Sequence, residues 1–541
     1  MKKCLLALVL SAFLLTSCVN QPSLSDGTGN NTDSEAPEPI TSSPDYAVGM
    51  STASLDSVEE TSVYEDAAAP QVSENTQGEP TLEDIQKLYP DKTVITISCN
   101  CSFDHSEAVS MANEYLSSIG KEYVICIQPI KAEFVKSEYC DDSEDIVIGH
   151  IDYNSEIEKM GDKIDIILSQ SYIESVEKGM LLPLDEYIEG SKLQSFIPEK
   201  LWNGVRIDGV IYGIDCYSQI GAQRGYYIGC ELADKYSLDL EKPLSEQHDL
   251  LKLIDEKENC SPVVTYNQFF ASSLYLDSVP VTDGVCLDSN GEIKSILDDD
   301  RYIAFLKEMF LLNKEGLIKD ISMDGFMGRF LAFETPIRFP PENYVPLDFA
   351  KSYNYLSGEP DFARVYPVFK ESPRLIKSIN AAGISAKSKH PDYAYDFLET
   401  AFTDPTLNNI MCYGDYTDIL LEDGRISEKT INKLVLTFFS NGLITLPTLK
   451  ESVNKKADFE RTVEALEVNP DIGFTFHVGD LAKERDVVQA KVYEMSKMLL
   501  KDDFASFEEY ISAYKNALSE AGLDKLIESA TAQYNEWRNQ Q

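Results

Sequence analysis

Apolar positions recur first with a period of two and then with a period near 3.6 along much of the chain, an alternation that predicts strands followed by helices. Thr93 to Ser98 (TVITIS) is a β-branched alternation and reads as a strand. A helix is expected from about Ser106, a candidate N-cap, to Leu116, and a second strand over Tyr123 to Ile130. Residues 164–168 (IDIIL) are short and nearly all apolar, as a strand covered on both faces should be. A helix near Tyr172 to Lys178 follows and stops at Gly179, a residue suited to a left-handed cap. Ahead of these, TLEDIQKLYP over 81–90 predicts a short helix ended by Pro90. Strand and helix in alternation predict an α/β lobe.

The second half is more helical. Helices are expected near 300–315, 391–402, 427–438, 481–500, 505–521 and 523–538. Strand patterns fall at Val210 to Ile214, Val263 to Tyr266, Phe330 to Glu334 and Arg364 to Phe369. The last helices are amphipathic, with Leu518, Leu523, Leu526 and Ile527 on the face expected to meet a core. Their polar faces lack the basic excess of membrane-surface helices.

The first residues follow a different pattern. Lys2 and Lys3 precede an apolar run from Cys4 to Leu15, which has the form of a secretory signal and is too short to span a bilayer. The run ends in Leu15-Thr16-Ser17-Cys18, which resembles a bacterial lipobox. That resemblance implies cleavage before Cys18, acylation of its thiol, and retention at the outer face of the cytoplasmic membrane. From Cys18 to about residue 80 the chain is rich in Ser, Thr, Pro, Gly and acids, with no Lys or Arg between Lys3 and Lys87. Such a segment buries too little apolar surface to order itself and reads as an acidic, disordered tether. About 60 residues of flexible coil reach roughly 40 Å.

Composition narrows the function. With 541 residues, 43% hydrophobic, the chain can build two cores, because single cores usually stop growing at about 250–300 residues. Acids outnumber bases 91 to 47, and a formal charge of -44 disfavours nucleic acid and anionic lipid as partners. Eleven cysteines leave nine once Cys4 and Cys18 are set aside, an odd number that suggests free, buried thiols. Cys99 and Cys101 with His105 nearby form a C-x-C that a soft metal could use, but a further ligand is not evident, and no metal or other cofactor is expected. The five histidines are scattered, and no H-E-x-x-H, G-x-S-x-G or phosphate-binding loop is present, so no catalytic residue is assigned.

Three segments resemble the extracellular solute-binding proteins of bacterial ABC transporters. DIILSQSYIESVEKGMLLPLDEYI (165–188) is similar to their strand, loop and helix ending in a G-L-L-x-P-L turn. LWNGVRIDGVIYGIDCYSQ (201–219) resembles the hairpin that leads into the first interlobe hinge. INAAGISAKSKHPDYAYDFLETAFTDPTLNNIMCYGDY (379–416) resembles the stretch that returns the chain to the first lobe. The end of the chain, GFTFHVGDLAKERDVV and AGLDKLIESATAQYNEW, is similar to the C-terminal region of unknown function in a lipoprotein subgroup of these binders. The resemblance implies an α/β, two-lobed fold of the type II periplasmic-binding-protein kind, with a hinge between the lobes. It places lobe one at 81–214 plus 368–430 and lobe two at 217–364 plus 440–541.

Ligands of open α/β sheets sit off the carboxyl ends of strands. In lobe one that rule selects Asn100, Ser102 and Asp104, then Ser169, Gln170 and Tyr172. At the first hinge it selects Asp215, Tyr217 and Gln219, with Arg224 just beyond, and in lobe two Tyr266, Asn267 and Phe269. Glu334, Arg338 and Phe339 fall where the family often supplies a stacking aromatic. Amide, carboxylate and phenol groups suit sugar hydroxyls, and aromatic faces suit sugar C–H surfaces. Each of these residues also fits an ordinary loop or capping role. Only two tryptophans are present, Trp202 and Trp537, both in positions that look structural, which weakens the sugar assignment. Arg224 or Arg338 in the cleft would instead suit a carboxylate.

The expected function is capture of a solute, most readily a carbohydrate, by a monomeric lipid-anchored protein that delivers it to permease subunits without catalysis. One alternative is a glycan hydrolase, with Asp104, Asp215 and Glu334 as the acids, since such enzymes need two carboxylates about 5–10 Å apart. Another is a ligand-binding partner of a membrane sensor.

Overall fold

The computed structural model describes residues 80–99, 105–130, 134–136, 149–217, 220–239, 242, 244–258, 261–265, 279–320, 330–339, 363–367, 373–427, 437–448, 451–501 and 503–540. The lipobox, the tether, and the expected helix at 427–438, apart from its ends, lie outside these residues. Two sheets organise the described chain. In chain order their strands are β1 (Thr93–Cys99), β2 (Tyr123–Pro129), β3 (Ile166–Ser169), β4 (Ile214–Asp215), β5 (Gly221–Gly229), β6 (Ser261–Thr265), β7 (Ile318–Asp320), β8 (Phe330–Phe339), β9 (Ala363–Pro367), β10 (Arg374–Leu375) and β11 (Ala381–Ile384).

The sheets share one wiring. Sheet one runs β2-β1-β3-β11-β4, and sheet two runs β7-β6-β8-β5-β9, with β10 paired to β5. Within each, the first three strands of the order are parallel. The fourth is the strand that has just arrived from the other lobe, and it is antiparallel to both neighbours. Helices cover the sheets, and those used below are α1 (Ser106–Ser118), α2 (Tyr172–Glu177), α3 (Asp300–Lys314), α4 (Pro391–Thr403), α5 (Pro405–Tyr413), α6 (Ala482–Leu499), α7 (Phe507–Glu520) and α8 (Leu523–Arg538). The run of buried residues from Ile95 to Cys99 shows that β1 is covered on both faces, with Thr96 and Ser98 opposite Ile95, Ile97 and Cys99.

Several elements differ from their sequence expectation. Ser106 is the first residue of α1 rather than its cap; His105 holds the cap position and makes no side-chain cap bond. The expected strand at 210–214 is split into a hairpin arm at Val210–Ile211 and β4. α5 and a helix at Lys455–Ala465 carry no expectation at all. Cys99 is disulfide-bonded, against the expectation of free thiols, and so cannot offer a thiolate to a metal. Among the described residues, Cys126, Cys216, Cys286 and Cys412 form no disulfide.

Each lobe has its own hydrophobic core. One gathers Ile95, Ile125, Ile166, Trp202, Ala382, Phe397 and Phe402. The other gathers Tyr226, Phe305, Met309, Val488, Val492, Tyr510 and Tyr514. The first core also takes Phe439, Phe459, Val463, Leu466 and Ile472, and the second begins again at Phe474. The final crossing therefore falls at 472–474, not near residue 440, because the 439–472 stretch buries its apolar side chains on lobe one. Both tryptophans are structural: Trp202 is buried in lobe one, and Trp537 packs 5.8 Å from Phe474 and 6.0 Å from Tyr534.

Candidate ligand site and hinge

Registers show that the first two crossings attach at the carboxyl edges of the parallel strands. Ala381 pairs with Ser169 at the end of β3 and with Asp215 at the end of β4, so these three residues form one row across sheet one. In sheet two, Gly221 at the start of β5 pairs with Phe339 at the end of β8. The two edges where ligands of such sheets sit are thus the edges joined by the hinge.

The crossings are bonded to one another. Arg374 and Leu375 pair with Ala222 and Gly221, while the Leu375 N–H donates to the Glu467 carbonyl at 2.8 Å and the Glu467 N–H to the Pro373 carbonyl at 2.9 Å. Glycine is required at 221: an added Cβ would lie 2.6 Å from Leu466 Cδ1 and 3.2 Å from the Arg374 carbonyl oxygen. The hairpin at 206–211 turns through Asp208 and Gly209, both with positive φ (51° and 87°), as an Asp-Gly turn of the primed type requires. Its Asp208 N–H donates to the Gly473 carbonyl at 3.2 Å, tying lobe one to the third crossing.

The expected site residues divide sharply. Gln170 and Asp215 are half-buried in or beside the row at the edge of sheet one. Ser169 is there too, but its hydroxyl is engaged with Ser175 Oγ at 2.7 Å and accepts from the Ser171 N–H at 3.2 Å, shaping the start of α2. Tyr172 is a structural pin: its hydroxyl donates to the Val205 carbonyl at 2.9 Å and accepts from the Tyr212 N–H at 3.0 Å. Tyr217 is buried edge-on to Trp202 at 6.5 Å, with its carbonyl accepting from the Gly442 N–H at 2.8 Å. Arg224 is buried inside lobe two, 2.5 Å from Glu308 Oε2 and 4.8 Å over the Phe305 ring, so it cannot meet a carboxylate ligand in the cleft.

Glu334, Arg338 and Phe339 lie within β8, at the register of Tyr226, Ala222 and Gly221, and not in a loop after it. Asn100, Ser102, Asp104, Gln219, Tyr266, Asn267 and Phe269 are outside the described residues. Sequence reasoning missed Asn380. It immediately precedes β11, between the ends of β3 and β4, and its buried Oδ1 has no hydrogen-bond partner among the described residues. The signal was available, because a polar residue opening an otherwise apolar strand (NAAGI) marks the strand end.

Charge concentrates beside the third crossing. The His477 ring lies between Glu177 Oε1 and Asp208 Oδ2, at 2.7 Å from each, and these two bonds raise its pKa to about 9. Lys377 Nζ donates to the Phe474 carbonyl at 2.6 Å and to Thr475 Oγ1 at 2.5 Å, and burial pulls its pKa down to about 8 against the opposing field of Asp208. Among the described residues no cluster of three or more His, Cys, Asp or Glu is arranged to hold a metal ion, and no helix is long and apolar enough to cross a membrane.

The N-glycan transport solute-binding protein of Streptococcus pneumoniae superposes on 83% of this chain and all of its own, with a TM-score of 0.65 at 18% identity. The chain has the two-lobed α/β fold of the ABC-transporter solute-binding proteins. A second structure of that fold, the same pneumococcal protein in complex with Man1GlcNAc, matches 82% of this chain and 99% of its own, with a TM-score of 0.56 at 18% identity. A third, an HMO-binding solute-binding protein of Bifidobacterium longum infantis, matches 82% and 99%, with a TM-score of 0.54 at 13% identity. Residues 470–539 match a family described as a domain of unknown function, DUF3502. In this solute-binding fold that stretch is the third crossing plus α6, α7 and α8. No curated protein matches the chain in sequence.

Proposed function

We propose that the protein is a lipid-anchored, monomeric substrate-binding protein that captures a carbohydrate between its lobes and passes it to the permease of an ABC transporter. The observation that carries the reading is the paired wiring of the two sheets, whose carboxyl edges are joined at the first two crossings, with the third bonded to the second through Lys377. Closure about such a hinge lets a ligand touch both lobes and favour the shut form. The amide and carboxylate groups of Gln170, Asp215 and Asn380 match the donor and acceptor pattern of sugar hydroxyls. Solute-binding proteins of this fold include the pneumococcal protein solved with Man1GlcNAc, which supports an oligosaccharide over a peptide. The protein acts by binding, with no reaction at the edge. Acylated Cys18 holds it at the outer face of the cytoplasmic membrane, and the acidic stretch to residue 80 serves as its tether.

Titration calorimetry against mannose-, glucose- and milk-type oligosaccharides, with peptides and amino acids as rivals, tests the ligand class. Saturable binding of one oligosaccharide class without release of shorter sugars is the expected result; glycan turnover, or binding of peptides alone, would sink the reading. Cys18→Ser should release the protein from membranes while leaving its affinity unchanged, as fractionation and calorimetry would show.

A further inference from the structure

The stretch matched by the family of unknown function does two things in this structure. It fills lobe two, through Phe474, Phe476, Val488, Val492, Met495, Tyr510 and Tyr514. It also reaches back to lobe one: Ile472 packs in the first core, the Gly473 carbonyl accepts from the Asp208 N–H, and the His477 side chain makes an ionic contact. Gln533 of α8 fixes the His477 backbone, accepting from its N–H and donating to its carbonyl, both at 2.9 Å. The His477 imidazole then bridges the last residue of α2 and the tip of the 206–211 hairpin, both in lobe one.

We propose that this C-terminal module is the brace that sets the arrangement of the lobes, with the imidazolium of His477 latched between Glu177 and Asp208 as its ionic contact. The geometry is built for a cation. Both ring nitrogens donate only when the ring is charged, and each here meets a carboxylate oxygen. The neighbouring charges are otherwise engaged: Arg206 with Asp185 at 3.2 Å, and Lys178 with Glu174 at 2.9 Å. Lys377, from the second crossing, holds the Phe474 carbonyl and the Thr475 hydroxyl beside the latch. Tyr212 also lies in the field of Asp208: burial first, then the charges of Asp208 and Asp185, raise its phenol pKa.

The two cations respond to pH with opposite sign. The contribution of His477 is complete below its ordinary pKa of 6.5 and is lost as pH rises through about 9. The cost of burying charged Lys377 is present below about 8 and is relieved as pH climbs from there toward 10.5. The latch is therefore engaged at neutral pH and released in alkali.

The inference rests on the reading that the lobes rearrange, but its test needs no ligand. Small-angle scattering of the full chain, without solute, is compared at pH 7 and pH 10 for the wild type, His477→Gln, Asp208→Asn, the double variant of these two, and Lys377→Met. Asparagine tolerates the left-handed conformation at 208, so that substitution keeps the turn. The wild type should change its pair-distance distribution between the two pH values. His477→Gln and Asp208→Asn should each already show the alkaline distribution at pH 7, and the double variant should add nothing. The expected shift in the ratio of lobe arrangements is about three- to tenfold, the scale of two partly exposed ionic bonds. If His477→Gln lowers the melting point too far to measure, Glu177→Gln probes the same latch from the other lobe. Identical distributions in all proteins, or a pH response that survives His477→Gln and vanishes in Lys377→Met, would overturn the proposal. A latch that responds in a protein binding no carbohydrate would leave the brace standing and remove the transport reading.

Discussion

Lobe one and lobe two carry the same sheet wiring and complete their cores at opposite times. Lobe one holds β1 to β4 early, but its antiparallel fourth strand β11 comes in the chain only after lobe two's strands. Lobe two receives its equivalent strand β5 at once, yet waits for residues 474–534 to fill its core. The difference shows how a symmetric topology is locked from two directions. Neither lobe is a continuous stretch of chain, and each closes over a segment the other has already passed. The site edge lies where these late pieces arrive, so the same contacts that finish the lobes also set the hinge.

The sharpest way to break this comparison is to damage one late piece and ask whether the other lobe notices. Tyr510 of α7 is fully buried, donates to the Met495 carbonyl at 3.0 Å, and has Phe504 and Tyr514 rings 5.4 and 5.9 Å away. Tyr510→Ala should cost lobe two about 3–5 kcal/mol. The tryptophans supply one reporter per lobe, Trp202 for lobe one and Trp537 for lobe two, and each can be isolated by a Trp→Phe change at the other. In urea, the Trp537 transition should move to lower concentration while the Trp202 transition stays. Joint movement of both would mean one cooperative unit and would end the claim that the lobes are completed separately.

The mirror experiment is milder. Gly383 sits inside β11, where an added Cβ would lie 2.7 Å from the Tyr212 carbonyl oxygen and 2.9 Å from Leu181 Cδ2. Gly383→Ala should destabilise lobe one by about 1–3 kcal/mol through overpacking. Here the Trp202 transition is the one expected to move. An unchanged transition would show that β11 is loosely held, and that sheet one is finished before it arrives.

How far these features could be read from the sequence depended on the range of the interaction. β1 was legible because its β-branched run reports a local environment covered on both faces, and α8 because Leu523 and Leu526 repeat on one stripe. Tyr172 and Arg224 were misplaced for the opposite reason. A polar residue near a strand end looks the same whether it meets solvent or a partner far along the chain, as Arg224 meets Glu308. The 439–472 stretch was placed in the wrong lobe because Phe459 and Leu466 declare that they are buried, but not in which core. His477 stood alone in the sequence; only the fold brings it to Glu177 and Asp208, some 300 and 269 positions away.

The smallest expected effect asks whether the edge of sheet one is a binding surface or only a finished strand end. Asn380 is the discriminating residue, because its buried Oδ1 lacks a partner among the described residues, whereas Ser169 and Tyr172 beside it are satisfied. A buried acceptor left unmatched costs free energy that a ligand donor would recover. Asn380→Ala removes that acceptor and should therefore leave the Trp537 transition in place without lowering the Trp202 transition. The same change should weaken oligosaccharide binding about tenfold, or about 1.4 kcal/mol, in calorimetry. Unchanged affinity with a stabilised lobe one would instead mark the row of Ser169, Ala381 and Asp215 as scaffold, and would move the binding contacts to lobe two.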